Sequence, residues 1–247
     1  MPQGKAQNQK AYYESVWKSI RITKPSTWSG WEVIQNFEGK QILEIGPGSF
    51  PRIPVKGSYF IDISKALLKR LQILGGHVFY GDQSLTFLQD NFFDLIVAFN
   101  VLEHIENDDR TLEEIKRILK RGGYFYFMIP IWKNYFSDFD FQVGHQRRYE
   151  PKELENKLSE NGFKIIKWRP AGLLNWFYSF RWGRMIARHF CVHVAKKEIM
   201  SNFLSFIVKG GLKLWGFLEK WTQKDWQIGE LSPKKRTTNL EVLCTKI

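Results

Sequence analysis

Two groups of residues in this chain have the types and spacing to do chemistry. The first comprises Gly46 and Gly48 in LEIGPGS (43–49), Asp62, the pair Asp82-Gln83, and Asn100. Glycines let backbone N–H groups come close to an anionic or carboxylate group. An acid that ends an apolar run, as Asp62 does, can accept hydrogen bonds from both hydroxyls of a ribose, with Ile63 beside it. Asp82, with Gln83 next to it, is suited to accept from an adenine amino group, and Asn100 to face the other end of the same ligand. The second group is Glu103-His104 together with GHQRRYEP (144–151), which carries His145, Arg147, Arg148 and Tyr149. Histidine titrates near neutral pH, so His104 and His145 are candidates for moving a proton. Two arginines on one short loop can hold a phosphate or carboxylate of an acceptor, with Glu103 and Tyr149 as further contacts. Structural roles stand beside these: His104 buttressing its loop, Arg147 paired with Asp138 or Asp140, Tyr149 packed before Pro151, and Glu44 bonding backbone in the loop.

These residues need a scaffold that brings them together. Strand patterns occur at 41–45, 58–62, 77–80, 93–99, 123–129, 163–168 and 239–247. Helical patterns lie between them. Ser64 caps one with Leu67, Leu68 and Leu71 inward, ending at Gly75-Gly76. Asn107 caps a second with Leu112, Ile115, Ile118 and Leu119 on one face, ending at Gly122. Pro151 opens a third that ends at Gly162. Such alternation predicts a parallel sheet flanked by helices, with ligands beyond the carboxyl ends of the strands. Every residue of the first group follows one of those ends.

In order and spacing, LEIGPGS, YFIDIS, FYGD, FDLIVAFNVLEHI and RILKRGGYFYFMIP resemble the class I S-adenosylmethionine-dependent methyltransferases, of the methyltransferase type 11-like family. The resemblance covers residues 40–168 and the last strand. It implies an α/β, Rossmann-like seven-stranded sheet, mostly parallel, with an antiparallel last strand. It implies S-adenosyl-L-methionine as cofactor, with Gly46 and Gly48 under its methionine part, Asp62 on the ribose, Asp82 on the adenine and Asn100 near the methionine end. A nicotinamide dinucleotide fits worse. Its fingerprint needs a third glycine where Pro51 stands, an acid about 20 residues on, and a helix N-terminus for the pyrophosphate. The family's own third glycine is replaced by Phe50, so a shortened turn is expected in place of a full first helix. Glu103-His104 also resembles part of the metal cluster of the ubiquinone-pathway O-methyltransferases. Asn100 replaces that cluster's first acid, and no metal is expected.

The chain has 247 residues, 43% hydrophobic and 16% aromatic with ten Trp, enough for one α/β domain with an elaboration. The net charge of +12 sits at the ends: residues 1–24 carry five Lys/Arg and one Glu, 171–247 thirteen Lys/Arg and five Asp/Glu, and the middle nineteen of each sign. The expected layout is an N-terminal helical cap (1–39), a core (40–169 and 238–247) and a basic, aromatic helical insert (170–237) inserted before the last strand. At about 100° per residue, Lys209, Lys213, Lys220 and Lys224 fall within about 60° of one another, with Phe203, Ile207, Leu214 and Trp221 among the apolar residues mostly opposite. That pattern suits a lid over the acceptor site, or a helix lying in an anionic membrane surface. Basic-aromatic mixtures also suit single-stranded nucleic acid, but no RNA-binding module accompanies it. Two cysteines and a polar N-terminus point to a cytoplasmic protein, with membrane association through the insert. The expected activity is S-adenosylmethionine-dependent methylation, O-directed, of a small-molecule, hydrophobic, lipid-linked or glycosyl acceptor. The alternative is a non-catalytic module of the same fold at a membrane or on RNA.

Overall fold

The computed structural model describes Glu14 and residues 21–81, 85–171, 225–235 and 237–247. The amphipathic stretch 11–20, apart from Glu14, nearly all of the basic insert, and Asp82 and Gln83 lie outside the described residues.

Seven strands form one sheet: β1 (Ile42–Ile45), β2 (Tyr59–Asp62), β3 (His77–Tyr80), β4 (Phe93–Phe99), β5 (Leu119–Pro130), β6 (Phe163–Ala171) and β7 (Asn239–Lys246). Their spatial order is β3-β2-β1-β4-β5-β7-β6. β7 runs antiparallel to both β5 and β6, while β1 to β5 pair in parallel. Helices α1 (Trp31–Ile34), α2 (Lys65–Ile73), α3 (Asp108–Ile118), α4 (Asp138–Val143) and α5 (Pro151–Glu160) surround it.

The period of two along each strand sorts the core into two layers. Leu43, Ile45, Ile96, Ala98, Phe125 and Phe127 pack on one face with Leu112 and Ile115 of α3 and Leu154 and Leu158 of α5. Ile42, Leu95, Val97, Tyr126 and Met128 face the other side, against Leu67, Leu68 and Leu71 of α2 and Val33 and Ile34 of α1. With both faces covered, the central strands read as continuous apolar runs.

The expected helix caps form. Ser64 accepts from Leu67 N at 3.2 Å and Asn107 from Arg110 N at 3.1 Å. Pro151 is the first residue of α5, whose missing N–H has no helical partner to lose. Two boundaries differ from the sequence reading. α3 stops at Ile118 and not at Gly122, because Leu119 pairs with Phe93 and starts β5. β6 continues past Trp168 to Ala171, because β7 pairs with it down to Asn239, so the core extends beyond residue 169. The link from β1 to β2, residues 46–58, contains no helix. Ile53, fully buried, occupies the second core layer there.

Candidate active site

A cavity of about 390 Å³ opens beyond the carboxyl ends of β1, β2 and β4. Gly46, Gly48, Asp62, Ile63, Asn100 and His104 line it, together with Phe50, Arg52, Phe99, Val101 and Ile105. The sheet order produces this gathering: β1 sits between β2 and β4, so the residues that follow these three strands meet although up to about 60 positions separate them.

The loop after β1 is held from beneath. Glu44 is buried, and its carboxylate accepts from Arg52 N at 3.1 and 3.0 Å and from Ile53 N at 3.4 Å. Burial outweighs these bonds and pushes its carboxyl up to about 8. Gly46 adopts φ +62°, and a Cβ there would lie 2.9 Å from Val101 Cγ2, so the backbone approaches where no other residue fits. Phe50 packs edge-to-face on Trp28 at 5.3 Å, and the Arg52 guanidinium lies 4.8 Å from the rings of both Trp28 and Phe99.

Asp62 is 7% exposed and accepts from Ser64 N at 2.8 Å and from the backbone of Gly48 and Ile63. Desolvation raises its carboxyl to about 6, which leaves it mostly ionised at neutral pH. Glu14 lies near enough to contribute to that rise, and it accepts from Ala66 N, in the first turn of α2, at 3.0 Å. Asn100 has φ +54°, and its N–H donates to Met128 O at 2.8 Å.

The second group is only partly at the cavity. His104 ends a short 3-10 turn, Leu102–His104, and is part of the cavity wall. His145 packs edge-to-face against it at 4.7 Å between ring centroids. Burial, then the nearby His145, push the His104 imidazole down to about 3. His104 is therefore neutral in this setting.

The arginines and Tyr149 make contacts within the protein. None is among the residues lining the cavity. Arg147 pairs with Asp108 at 2.7 Å and donates to Glu106 O. Arg148 pairs with buried Asp140 at 2.9 Å. Tyr149 is buried in the core, its hydroxyl donating to Asp108 Oδ2 at 2.7 Å. Both guanidiniums are therefore matched to carboxylates of the chain itself. Asp140, missed as a site residue, is the hub. It accepts from Ser137 N and Oγ at 2.9 Å and from Arg148, and its Oδ1 lies 2.7 Å from His145 Nδ1. Its alternation with Asp138 in SDFD gives no sign of that role in the sequence. Arg52, Phe99 and Val101 were missed as well; the last two flank Asn100 and were readable from that position.

Comparison with known proteins agrees with this arrangement. Residues 44–127 match the family described as Methyltransferase domain. Two uncharacterized proteins of Methanocaldococcus jannaschii are similar, one 33% identical over 146 residues (54% of this chain, 60% of the relative), the other 29% identical over 132 (51% and 64%). The matches span less than two thirds of these relatives. A solved S-adenosylmethionine-dependent methyltransferase of Thermotoga maritima, described as a possible histamine N-methyltransferase, shares the fold with TM-score 0.53 at 16% identity over 88% of this chain and 93% of that one. Phosphoethanolamine N-methyltransferase 2 of Haemonchus contortus, solved with S-adenosyl-L-methionine, gives 0.53 at 17% over 89% and 52%. The cyclase SpnF gives 0.51 at 16% over 92% and 86%. A cyclase among the neighbours shows that this fold alone does not dictate methyl transfer. Residues 44–127 thus match the Methyltransferase domain family, and the seven-stranded fold around them is shared with solved S-adenosylmethionine-dependent methyltransferases.

Proposed function

We propose that the protein is an S-adenosylmethionine-dependent methyltransferase acting on an oxygen of a hydrophobic acceptor. The observation that carries this is the joint placement of Gly46, Gly48, Asp62 and Asn100 around one cavity whose wall continues into Phe99, Val101, His104 and Ile105. The residues fit the cofactor. The Gly46 backbone gives the close approach that its methionine part needs, and the buried, mostly ionised Asp62 offers acceptor capacity for a ribose diol. Asn100 offers a polar side chain near the methionine end, while Asp82 and Gln83 keep their sequence-based assignment to the adenine. When bound, the cofactor supplies an electrophilic methyl group on a sulfonium.

The chain's own contribution is alignment and water exclusion, which can supply much of the rate for an in-line transfer. The cavity's apolar wall favours a hydrophobic acceptor, lipid-linked or glycosyl, and excludes water from the sulfonium. A contact with an anionic membrane through residues 203–224 would bring such an acceptor within reach; no helix among the described residues is long and apolar enough to cross a membrane.

Titration of folded protein with S-adenosylhomocysteine by calorimetry tests the reading, with one site per chain expected. Absence of binding would leave a non-catalytic module as the better account. A screen of cell-extract fractions with methyl-labelled donor then identifies the acceptor. Flotation with anionic vesicles at low salt tests the membrane contact, and protein that stays at the bottom of the gradient removes it.

A further inference from the structure

Glu103 is the anomaly of the site. It is fully buried, and among the described residues no other residue donates a hydrogen bond to either carboxylate oxygen. A buried carboxyl without donors is strongly disfavoured, and buried acids are normally paired, hydrogen-bonded or bound to metal. What Glu103 faces is two imidazoles. One ligand atom each from Glu103, His104 and His145 lie within 4.8 Å of one another, and Glu103 Oε1 is 3.7 Å from His145 Nε2.

The outer contacts of both rings are also set. His145 Nδ1 is engaged by Asp140, itself fixed by Arg148 and Ser137, so His145 presents Nε2 toward Glu103. His104 is hydrogen-bonded to the Gly144 backbone, and one of its ring nitrogens lies in the cluster. Metal-binding histidines are oriented in this way, by a carboxylate or a carbonyl on the other nitrogen.

We propose that Glu103, His104 and His145 bind one first-row divalent cation of the zinc type at the His104 wall of the cavity. Two imidazoles and one carboxylate suit zinc over magnesium or calcium, and three protein ligands leave a coordination position open. Ligand atoms about 2.0–2.1 Å from a tetrahedral ion lie roughly 3.3 Å apart. The Glu103–His145 separation of 3.7 Å is close to that, and all three ligand atoms lie within 4.8 Å of one another. Positions 100 to 104 alone predict no metal, because Asn100 supplies no charge. The third donor comes instead from His145, brought in by the loop after α4.

His104 belongs to the cavity wall, so an ion held there would lie beside the acceptor space. It would lower the pKa of a hydroxyl that coordinates to it. This role rests on the methyltransferase reading; binding of the ion does not.

The test is calorimetric titration of chelator-stripped protein with zinc chloride, and with magnesium chloride as control, alongside thermal unfolding. One zinc per chain is expected, with micromolar or tighter affinity, a rise in Tm on loading, and little response to magnesium. Glu103→Gln and His104→Gln should each lose that equivalent, Asp140→Asn should weaken it about 10- to 100-fold, and Glu153→Gln on the surface should change nothing. Circular dichroism establishes that each variant folds; if one does not, the other carries the test. Absence of saturable zinc binding, or an equivalent that survives both Glu103→Gln and His104→Gln, overturns the proposal. S-adenosylhomocysteine titrated in parallel separates the readings: cofactor binding without zinc removes only the metal site, and zinc without cofactor removes only the methyltransferase.

Discussion

Glu44 lies on β1 and Glu103 follows the neighbouring strand β4, and both are fully buried glutamates with carboxyls pushed up to about 8. In each, loss of water is the main cause. Their surroundings nevertheless differ. Glu44 is bonded by the backbone of Arg52 and Ile53 and ties down the loop that carries Gly46 and Gly48. Glu103 receives no such bond and faces two histidines. The same displacement of a titration thus accompanies a structural tie in one case and the proposed ligand set in the other. Hydrogen-bond partners, and not the size of the shift, separate the two roles.

Several substitutions can break or sharpen that contrast. Asp140→Ala should have the largest effect, because it strands the buried Arg148 guanidinium and frees His145; a loss of about 3–5 kcal/mol in denaturant unfolding is expected. A loss under about 1 kcal/mol would show that the hub is not needed for folding. On the cofactor side, Asp62→Ala should weaken S-adenosylhomocysteine binding about 10- to 100-fold, as charge-assisted bonds are worth about 1.5–3 kcal/mol. Unchanged affinity in calorimetry would refute the ribose assignment.

Glu44→Gln places an amide nitrogen against backbone N–H groups and should destabilise by about 1–3 kcal/mol. It should also flatten the pH dependence of stability. Glu44 holds its proton more tightly folded than unfolded, so its contribution is complete below about pH 4.5 and is lost as pH rises toward about 8. The wild-type Tm should therefore fall over that window, and that of the variant should fall less. Gly46→Ala combines a left-handed φ with the Val101 contact and should cost about 1–2 kcal/mol. Adding Val101→Ala should return only the steric part. In metal-free protein, Glu103→Gln should be neutral or slightly stabilising at pH 8.5, because no other described residue donates to the native carboxyl. A destabilisation equal to that of Glu44→Gln would erase the distinction drawn above.

Much of the fold was legible in the sequence, since strand and helix periods, Ser64 and Asn107 caps and Pro151 are local signals. The misplaced boundaries share a cause. Leu119 fits the apolar face of α3 as well as a strand, and its pairing with Phe93 decided between them. Pro170 and Ala171 read as the start of an insert, yet Leu240 and Asn239 of β7 extend the strand over them. Non-local pairing overrides local preference at such ends.

The site divides along the same line. Gly46, Gly48, Asp62, Ile63 and Asn100 follow strand ends, and a parallel sheet puts strand ends together, so the sequence determined their meeting at one cavity. Which carboxylate meets which cation was not determined there. Arg147 chose Asp108, Arg148 chose Asp140, and His145 turned toward Glu103, because the loop after α4 folds back across the end of β4. Partners of long side chains depend on angles between elements far apart in the chain. Only the tertiary structure could therefore separate the satisfied arginines from the one carboxylate left facing two imidazoles.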